Sequence, residues 1–136
     1  MRVIKQFKTD QGRVFASTFT ENAQGVLMNV WSGNLGGAKE IDRVIQYSAE
    51  LLRSNNLKFW LSDVSNLEGA VEQDSLSAIE QFNRILRQTN LKKFTFVSRR
   101  PNSESRCLIE QAIARHGVEV KTFANYIEAI QWLLVP

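Results

Sequence analysis

The first part of the chain has the apolar and polar pattern of β-strands. Residues 12–19 (GRVFASTF) and 25–33 (GVLMNVWSG) are rich in β-branched and aromatic residues, and a short polar segment containing Asn22 and Gly25 separates them. Two runs of this kind joined by a short polar loop predict a β-hairpin. Residues 3–7 have the same character over a shorter length and predict a weaker strand.

From residue 38 onward, helical and strand-like patterns alternate. Ile41, Val44 and Ile45 recur at helical spacing, which predicts an amphipathic helix from Ala38 to Ser54. The elements predicted after it are a strand over 57–64, a helix from Ser75 with Asp74 as N-cap, a strand over 92–98, a helix over 104–117 capped by Asn102 or Ser103, a strand over 118–123 and a helix over 125–134.

Strands that alternate with helices predict parallel pairing, because each parallel connection needs a crossover of this length. We therefore expect an α/β fold in one domain over residues 1–136, with a mixed sheet of about five strands and about four helices. The N-terminal hairpin is antiparallel and the later βα units are parallel. Trp31, Trp60, Phe94 and Phe96 lie on predicted strands and are expected in the core, whereas Trp132 is expected to dock its helix on the sheet or to face a partner.

The composition narrows the class of protein. The chain has 136 residues and a net charge of +3, with its basic residues scattered, which argues against nucleic-acid binding. Cys107 is the single cysteine, so an intramolecular disulfide is impossible and a reducing, cytoplasmic location is expected. His116 is the single histidine, which argues against a metal site. No apolar run approaches the ~20 residues of a membrane-spanning helix, and the N-terminus lacks the pattern of a secretion signal.

Polar residues follow the predicted parallel strands at the edge where ligands of open α/β sheets tend to bind. Asp63 and Ser65 end one strand, and Arg99 and Arg100 end the next. A carboxylate beside a hydroxyl suits a nucleophile, a metal or a phosphoryl acceptor, and guanidinium groups beside a helix start suit an anion. The plainer interpretations are that Asp63 caps a turn through its own backbone and that the arginines lie in a solvated loop or pair with Asp63.

The motifs of common enzyme classes are absent. The glycines of 33–37 (GNLGG) match neither a P-loop nor a dinucleotide fingerprint, and no metalloprotease or serine-hydrolase motif occurs. His116 lies at a predicted helix end, where the helix dipole favours its charged form, so it is not placed as a catalytic base. We expect no enzymatic activity and no cofactor.

The order of these motifs resembles the STAS domain family, the fold of the bacterial anti-sigma-factor antagonists, and in particular its SpoIIAA-like small proteins. The matching segments are a hairpin ending in VWSG, a strand FWLSDVSNL ending in Asp, a strand KKFTFVS, and a final V-x-V-x-x-F strand before YIEAIQWL. The resemblance covers roughly residues 13–134.

The resemblance implies a non-enzymatic regulatory or protein-interaction module in bacterial signalling, with a protein partner such as a kinase. In the antagonists a serine of an Asp-Ser-Ser-Gly motif is phosphorylated, and the nearest match here is Asp74-Ser75, which lacks the glycine and lies farther from Asp63. Asp63, Ser65, Asp74 and Ser75 are thus the expected partner or phospho-switch surface. The alternative is a protein that binds a small apolar or anionic ligand, and a homodimer through the hairpin edge or the last helix is a further expectation.

Overall fold

The chain forms a run of three strands and then alternates helices with strands. The computed structural model describes residues 2–34, 38–68 and 75–136. The strands are β1 (Arg2–Lys8), β2 (Val14–Glu21), β3 (Val26–Asn34), β4 (Phe59–Glu68), β5 (Lys93–Val97) and β6 (Glu119–Phe123). The helices are α1 (Ala38–Ser54), α2 (Ser75–Ile85), α3 (Glu104–Ala114) and α4 (Tyr126–Leu134), with a 3-10 turn over Leu86–Gln88.

The strands form one sheet in the order of the sequence, β1 to β6. The pairs β1–β2 and β2–β3 are antiparallel, and β3–β4, β4–β5 and β5–β6 are parallel. The predicted mixed α/β sheet is confirmed, with six strands rather than about five. The added strand is β1, whose side chains are mostly exposed because it is the outer strand of the sheet, so the sequence shows little of the alternation that burial imposes.

Helices cover both faces of the sheet because successive strand residues point to opposite sides. Trp60 belongs to a core cluster with residues of α1, α2 and α3, such as Val44, Phe82 and Ile113. Leu61, the next residue of β4, belongs to a second cluster with Leu133 of α4. We call these sides the three-helix face and the α4 face.

Aromatic side chains of β4 and β5 form a stack on the three-helix face. The ring centroids of Trp60 and Phe94 are 4.5 Å apart, and those of Phe94 and Phe96 are 4.7 Å apart. The predicted core positions of these residues and of Trp31 are confirmed. Trp132 packs against the α4-face cluster, with its ring centroid 6.0 Å from that of Phe123. Of the two expectations for Trp132, docking of its helix on the sheet is the one observed.

A buried asparagine holds the middle of the sheet to the first helix. Asn29 of β3 donates from Nδ2 to the hydroxyls of Thr18 and Ser48, at 3.1 and 3.0 Å, and its Oδ1 accepts from the indole N–H of Trp60 at 2.7 Å. A buried amide is costly unless its donors and acceptors are paired. Because these hydrogen bonds pair them, a polar residue can occupy the centre of the core at Asn29.

The prediction that the strand over 57–64 ends at Asp63 and Ser65 is wrong. β4 continues to Glu68 and pairs with the end of β3. The register shifts between Val30 opposite Asp63 and Ser32 opposite Asn66, so β4 has one extra residue there. The polar residues after Asp63 therefore lie in a β-bulge inside a longer strand. A bulge leaves backbone groups without partners on the neighbouring strand, and polar side chains can form hydrogen bonds with them.

Candidate functional site

One row of residues marks the end of the sheet where polar side chains collect. Val30, Asp63, Val97 and Phe123 are successive partners across β3, β4, β5 and β6. Strands β5 and β6 end at this row, so the segments that follow them leave the sheet at the same edge as Asp63. We call this edge the rim. Because side chains alternate along each strand, those of this row, including Asp63, point to the α4 face.

Asp63 holds the bulge of β4 in place. Its Oδ1 accepts the backbone N–H of Ser65 at 3.0 Å and the Ser65 hydroxyl at 2.6 Å. Both residues are half-buried. The pair therefore stabilises the irregular backbone, as the plainer interpretation of Asp63 expects, although within a strand rather than a turn.

The segment after β5 carries the predicted arginines. The Ser98 N–H donates to the Phe123 carbonyl at 2.9 Å, and the Ser98 hydroxyl accepts the Arg100 N–H at 3.1 Å. Ser98 is buried, whereas the side chains of Arg99 and Arg100 are exposed. The backbone thus turns sharply at the rim and displays both guanidinium groups outside the sheet.

A third arginine lies at the start of α3, and sequence reasoning missed it. Ser103 is the N-cap: its hydroxyl accepts the Arg106 N–H at 3.2 Å. The Arg106 side chain is only 7% exposed, and its guanidinium carbon lies 4.3 Å from the centroid of the Phe96 ring. It therefore extends the stack of Trp60, Phe94 and Phe96 by a fourth layer on the three-helix face.

The charge of Arg106 is poorly compensated. Its Nε is buried and has no hydrogen-bond partner, and within the described ranges no carboxylate lies within ion-pair distance of its guanidinium. Burial lowers the pKa of Arg106, and the more distant charge of Glu110 opposes that shift. Because an arginine keeps its proton under these conditions, the group is a buried cation stabilised mainly by the face of an aromatic ring.

The first turn of α4 adds apolar groups to the rim. Asn125 is the N-cap, and its Oδ1 accepts the Glu128 N–H at 2.9 Å. The next two residues, Tyr126 and Ile127, are 40% and 65% exposed. They come three and four residues after Phe123 of the rim row, so two large apolar side chains are exposed at the same edge as Asp63 and Arg99.

The structure brings four of the predicted site residues to the rim: Asp63, Ser65, Arg99 and Arg100. Asp74 and the side chain of Ser75 lie outside the described residues. Arg106, Tyr126 and Ile127 were not predicted as site residues. One feature of the sequence could have indicated Arg106 as a site residue. It is a cation in the first turn of a predicted helix, where the helix dipole disfavours positive charge.

The Ser65 hydroxyl hydrogen-bonds to a carboxylate that acts as its acceptor, and His116, whose Nε2 lies 2.9 Å from Asn83 Oδ1, is at the other end of α3. Within residues 2–34, 38–68 and 75–136, no three His, Cys, Asp or Glu side chains are grouped closely enough to hold a metal ion. No helix in those ranges is long and apolar enough to cross a membrane.

Comparison with solved structures supports the resemblance at the level of fold. The chain is similar to a crystal structure of an uncharacterized protein from the DUF3478 family with a SpoIIAA-like fold, from Shewanella loihica PV-4. The two share 14% sequence identity over 88% of this chain and 94% of that chain, with a TM-score of 0.54. No family model matches the sequence, and no curated protein matches it significantly. The protein thus has a SpoIIAA-like fold.

Proposed function

We propose that this protein is a non-enzymatic regulatory or protein-interaction module in bacterial signalling, and that a partner protein docks on the rim. The observation that carries the proposal is the exposure of Tyr126 and Ile127 at the same edge of the sheet as the charged groups Asp63 and Arg99. Aromatic and arginine side chains are enriched at protein interfaces, where an apolar centre is bordered by polar groups.

The apolar pair is supported by a rigid base. α4 packs on the sheet through Ala129 and Leu133, and its start is capped by Asn125. Tyr126 and Ile127 are therefore presented without further ordering, which lowers the entropic cost of binding. The partner that fits this surface has an apolar patch with charged groups at its border.

A phospho-switch at the same surface has a physical basis at Ser65. Its hydroxyl donates to Asp63. A phosphate on this oxygen removes that donor and places nearly two negative charges beside the carboxylate, which would disrupt the bulge and alter docking. Ser75 is the second acceptor that we propose, on the family likeness of Asp74-Ser75.

Binding of a purified partner tests the docking proposal. The wild-type chain and the Ile127→Asp variant are used to capture proteins from the native host, and any candidate is then purified and titrated by calorimetry. We expect saturable binding to the wild type and at least a tenfold loss with Ile127→Asp, since a charge in an apolar contact is unpaired.

Val3→Asp is the matched control. Val3 is 48% exposed, like the rim residues. However, it lies on β1, the outer strand on the other side of the sheet from β6, and near the end of that strand that points away from the rim. Equal binding by Val3→Asp and wild type is expected. If both variants bind as tightly as the wild type, the rim is not the docking surface. Mass spectrometry that finds Ser65 and Ser75 unmodified under all growth conditions would remove the switch and leave docking untouched.

A further inference from the structure

The start of α3 gathers positive charge that no ion pair among the described residues neutralises. The N-terminal end of a helix has a partial positive charge and N–H groups without helical partners. Arg106 adds a full charge in the first turn, and Arg99 stands exposed on the preceding loop. Cations are unfavourable at this end of a helix, so their placement here is not explained by the stability of α3 itself.

Arg106 belongs to the first turn at that end of the helix. Side chains of the first turn lean toward the helix N-terminus, and the contact with Phe96 at 4.3 Å fixes the guanidinium beside the end of β5. The guanidinium carbon lies over the ring, and the N–H donors of an arginine lie around the edge of its planar group. Its Nε is buried and has no hydrogen-bond partner among the residues that the structure describes, and its side chain is only 7% exposed.

The neighbouring carboxylates do not supply the missing partner. Glu104 is exposed in the same first turn, and Glu110 accepts a hydrogen bond from the Thr122 hydroxyl. In the described part of the chain neither forms an ion pair with Arg106. A buried charge normally requires a hydrogen-bonded counter-charge, because desolvation is costly.

We propose that the start of α3 is a binding site for the oxyanion of a small molecule, a phosphate or a carboxylate. The anion accepts hydrogen bonds from the N–H groups of Glu104 and Ser105 and from the edge of the Arg106 guanidinium, and Arg99 adds long-range attraction. Phosphate and carboxylate match the planar fork of arginine, and helix N-termini bind such groups. This site does not depend on the proposed docking function. It shares only Arg99 with the docking surface, and it lies on the three-helix face, whereas Tyr126 and Ile127 start the helix of the other face.

An NMR titration of the full chain tests the site. Sodium phosphate and sodium acetate are added separately, with sodium chloride at matched ionic strength as the reference. We expect saturable shifts of the backbone amides of residues 103–106 and of the Arg106 Nε–H signal. Saturation by both oxyanions indicates a general oxyanion site, and saturation by phosphate alone indicates a phosphate-bearing ligand.

Variants separate the site from general ion effects. Arg106→Met is expected to abolish the saturable shifts, and Arg106→Lys to weaken binding about tenfold, because an ammonium lacks the bidentate fork. Glu104→Gln is expected to tighten binding about two- to threefold, since it removes a competing negative charge near the anion. Arg115→Met, at the exposed C-terminal end of α3, is expected to leave affinity unchanged.

The proposal is overturned if the shifts rise without saturation or match those in chloride, or if they persist in Arg106→Met. If Arg106→Met does not give a dispersed spectrum, Arg106→Lys and Glu104→Gln decide the matter: unchanged affinity in both contradicts the site. Loss of partner docking in Ile127→Asp with oxyanion binding retained would show that the two surfaces are separate.

Discussion

The guanidinium carbon of Arg106 lies 4.3 Å from the ring centroid of Phe96, on top of three stacked aromatic rings. The contact joins the first turn of α3 to the end of β5. It buries a cation in a place where the described residues offer no ion pair, so the face of the Phe96 ring is its main stabilising contact.

Replacement of this cation by an apolar side chain is expected to preserve or raise stability. Arg106→Met keeps the volume of the stem and its contact with Phe96, and it removes the desolvation cost of the charge. We expect the free energy of unfolding in urea to stay equal or to rise by about 1–2 kcal/mol. Circular dichroism measures the transition. A loss of more than about 2 kcal/mol would mean that the stacked cation stabilises the fold beyond its desolvation cost.

The buried network of Asn29 is expected to be the most sensitive polar feature of the core. Asn29→Ala leaves the Trp60 indole N–H without its acceptor, removes the amide that donates to the Thr18 and Ser48 hydroxyls, and creates a small cavity. We expect a decrease of about 2–4 kcal/mol in the free energy of unfolding.

Asn102→Ala is the matched control for Asn29, because its side chain is exposed in a loop. It is expected to change stability by less than about 0.5 kcal/mol. Equal effects of the two substitutions in urea unfolding would contradict the assignment of Asn29 as a core-bracing residue.

The bulge of β4 is expected to depend on the Asp63 acceptor more than on its charge. Asp63→Ala removes the partner of both Ser65 groups and is expected to lower the free energy of unfolding by about 1–2 kcal/mol. Asp63→Asn keeps an acceptor oxygen, so its loss is expected to be about half of that. Thermal unfolding of the variants measures the order of these losses. Asn66→Ala, which changes an exposed residue of the same strand, is the reference. A larger loss for Asn than for Ala would indicate that the charge itself is required.

The cap of α4 is expected to stabilise the helix that presents Tyr126 and Ile127. Asn125→Ala removes the acceptor of the Glu128 N–H and is expected to lower the free energy of unfolding by about 1 kcal/mol. Asn125→Ser restores a capping oxygen and is expected to recover most of it. Hydrogen exchange of the first α4 amides measures the local effect, and unchanged protection in Asn125→Ala would show that packing alone holds this turn.

Much of the fold was predictable because periodicity is a local property. α1 begins and ends at Ala38 and Ser54 as its apolar spacing predicted, and α3 is capped by Ser103, one of the two expected residues. β1 was underestimated, since an outer strand is little constrained by burial. The extension of β4 was missed because the polar residues after Asp63 resemble a loop, while the pairing that keeps them extended comes from β3.

The candidate site was predictable only in part. The rule that polar residues follow parallel strands located Asp63, Ser65, Arg99 and Arg100, because carboxyl ends of parallel strands share one edge. It did not locate Tyr126 and Ile127, since two apolar residues in an apolar helix look like core positions until the packing side of α4 is known. Whether the rim binds a partner stays a prediction.

The amino-acid sequence by itself determined which segments are helices and strands, their order, and hence a mixed sheet with an antiparallel part followed by parallel strands. These properties depend on side-chain spacing along a few turns or a few residues. Only the tertiary structure decided that Arg106 is buried against Phe96 while Ile127 is exposed. Each outcome depends on which face of a helix docks on the sheet, and that is set by the combined packing of residues distant in the sequence.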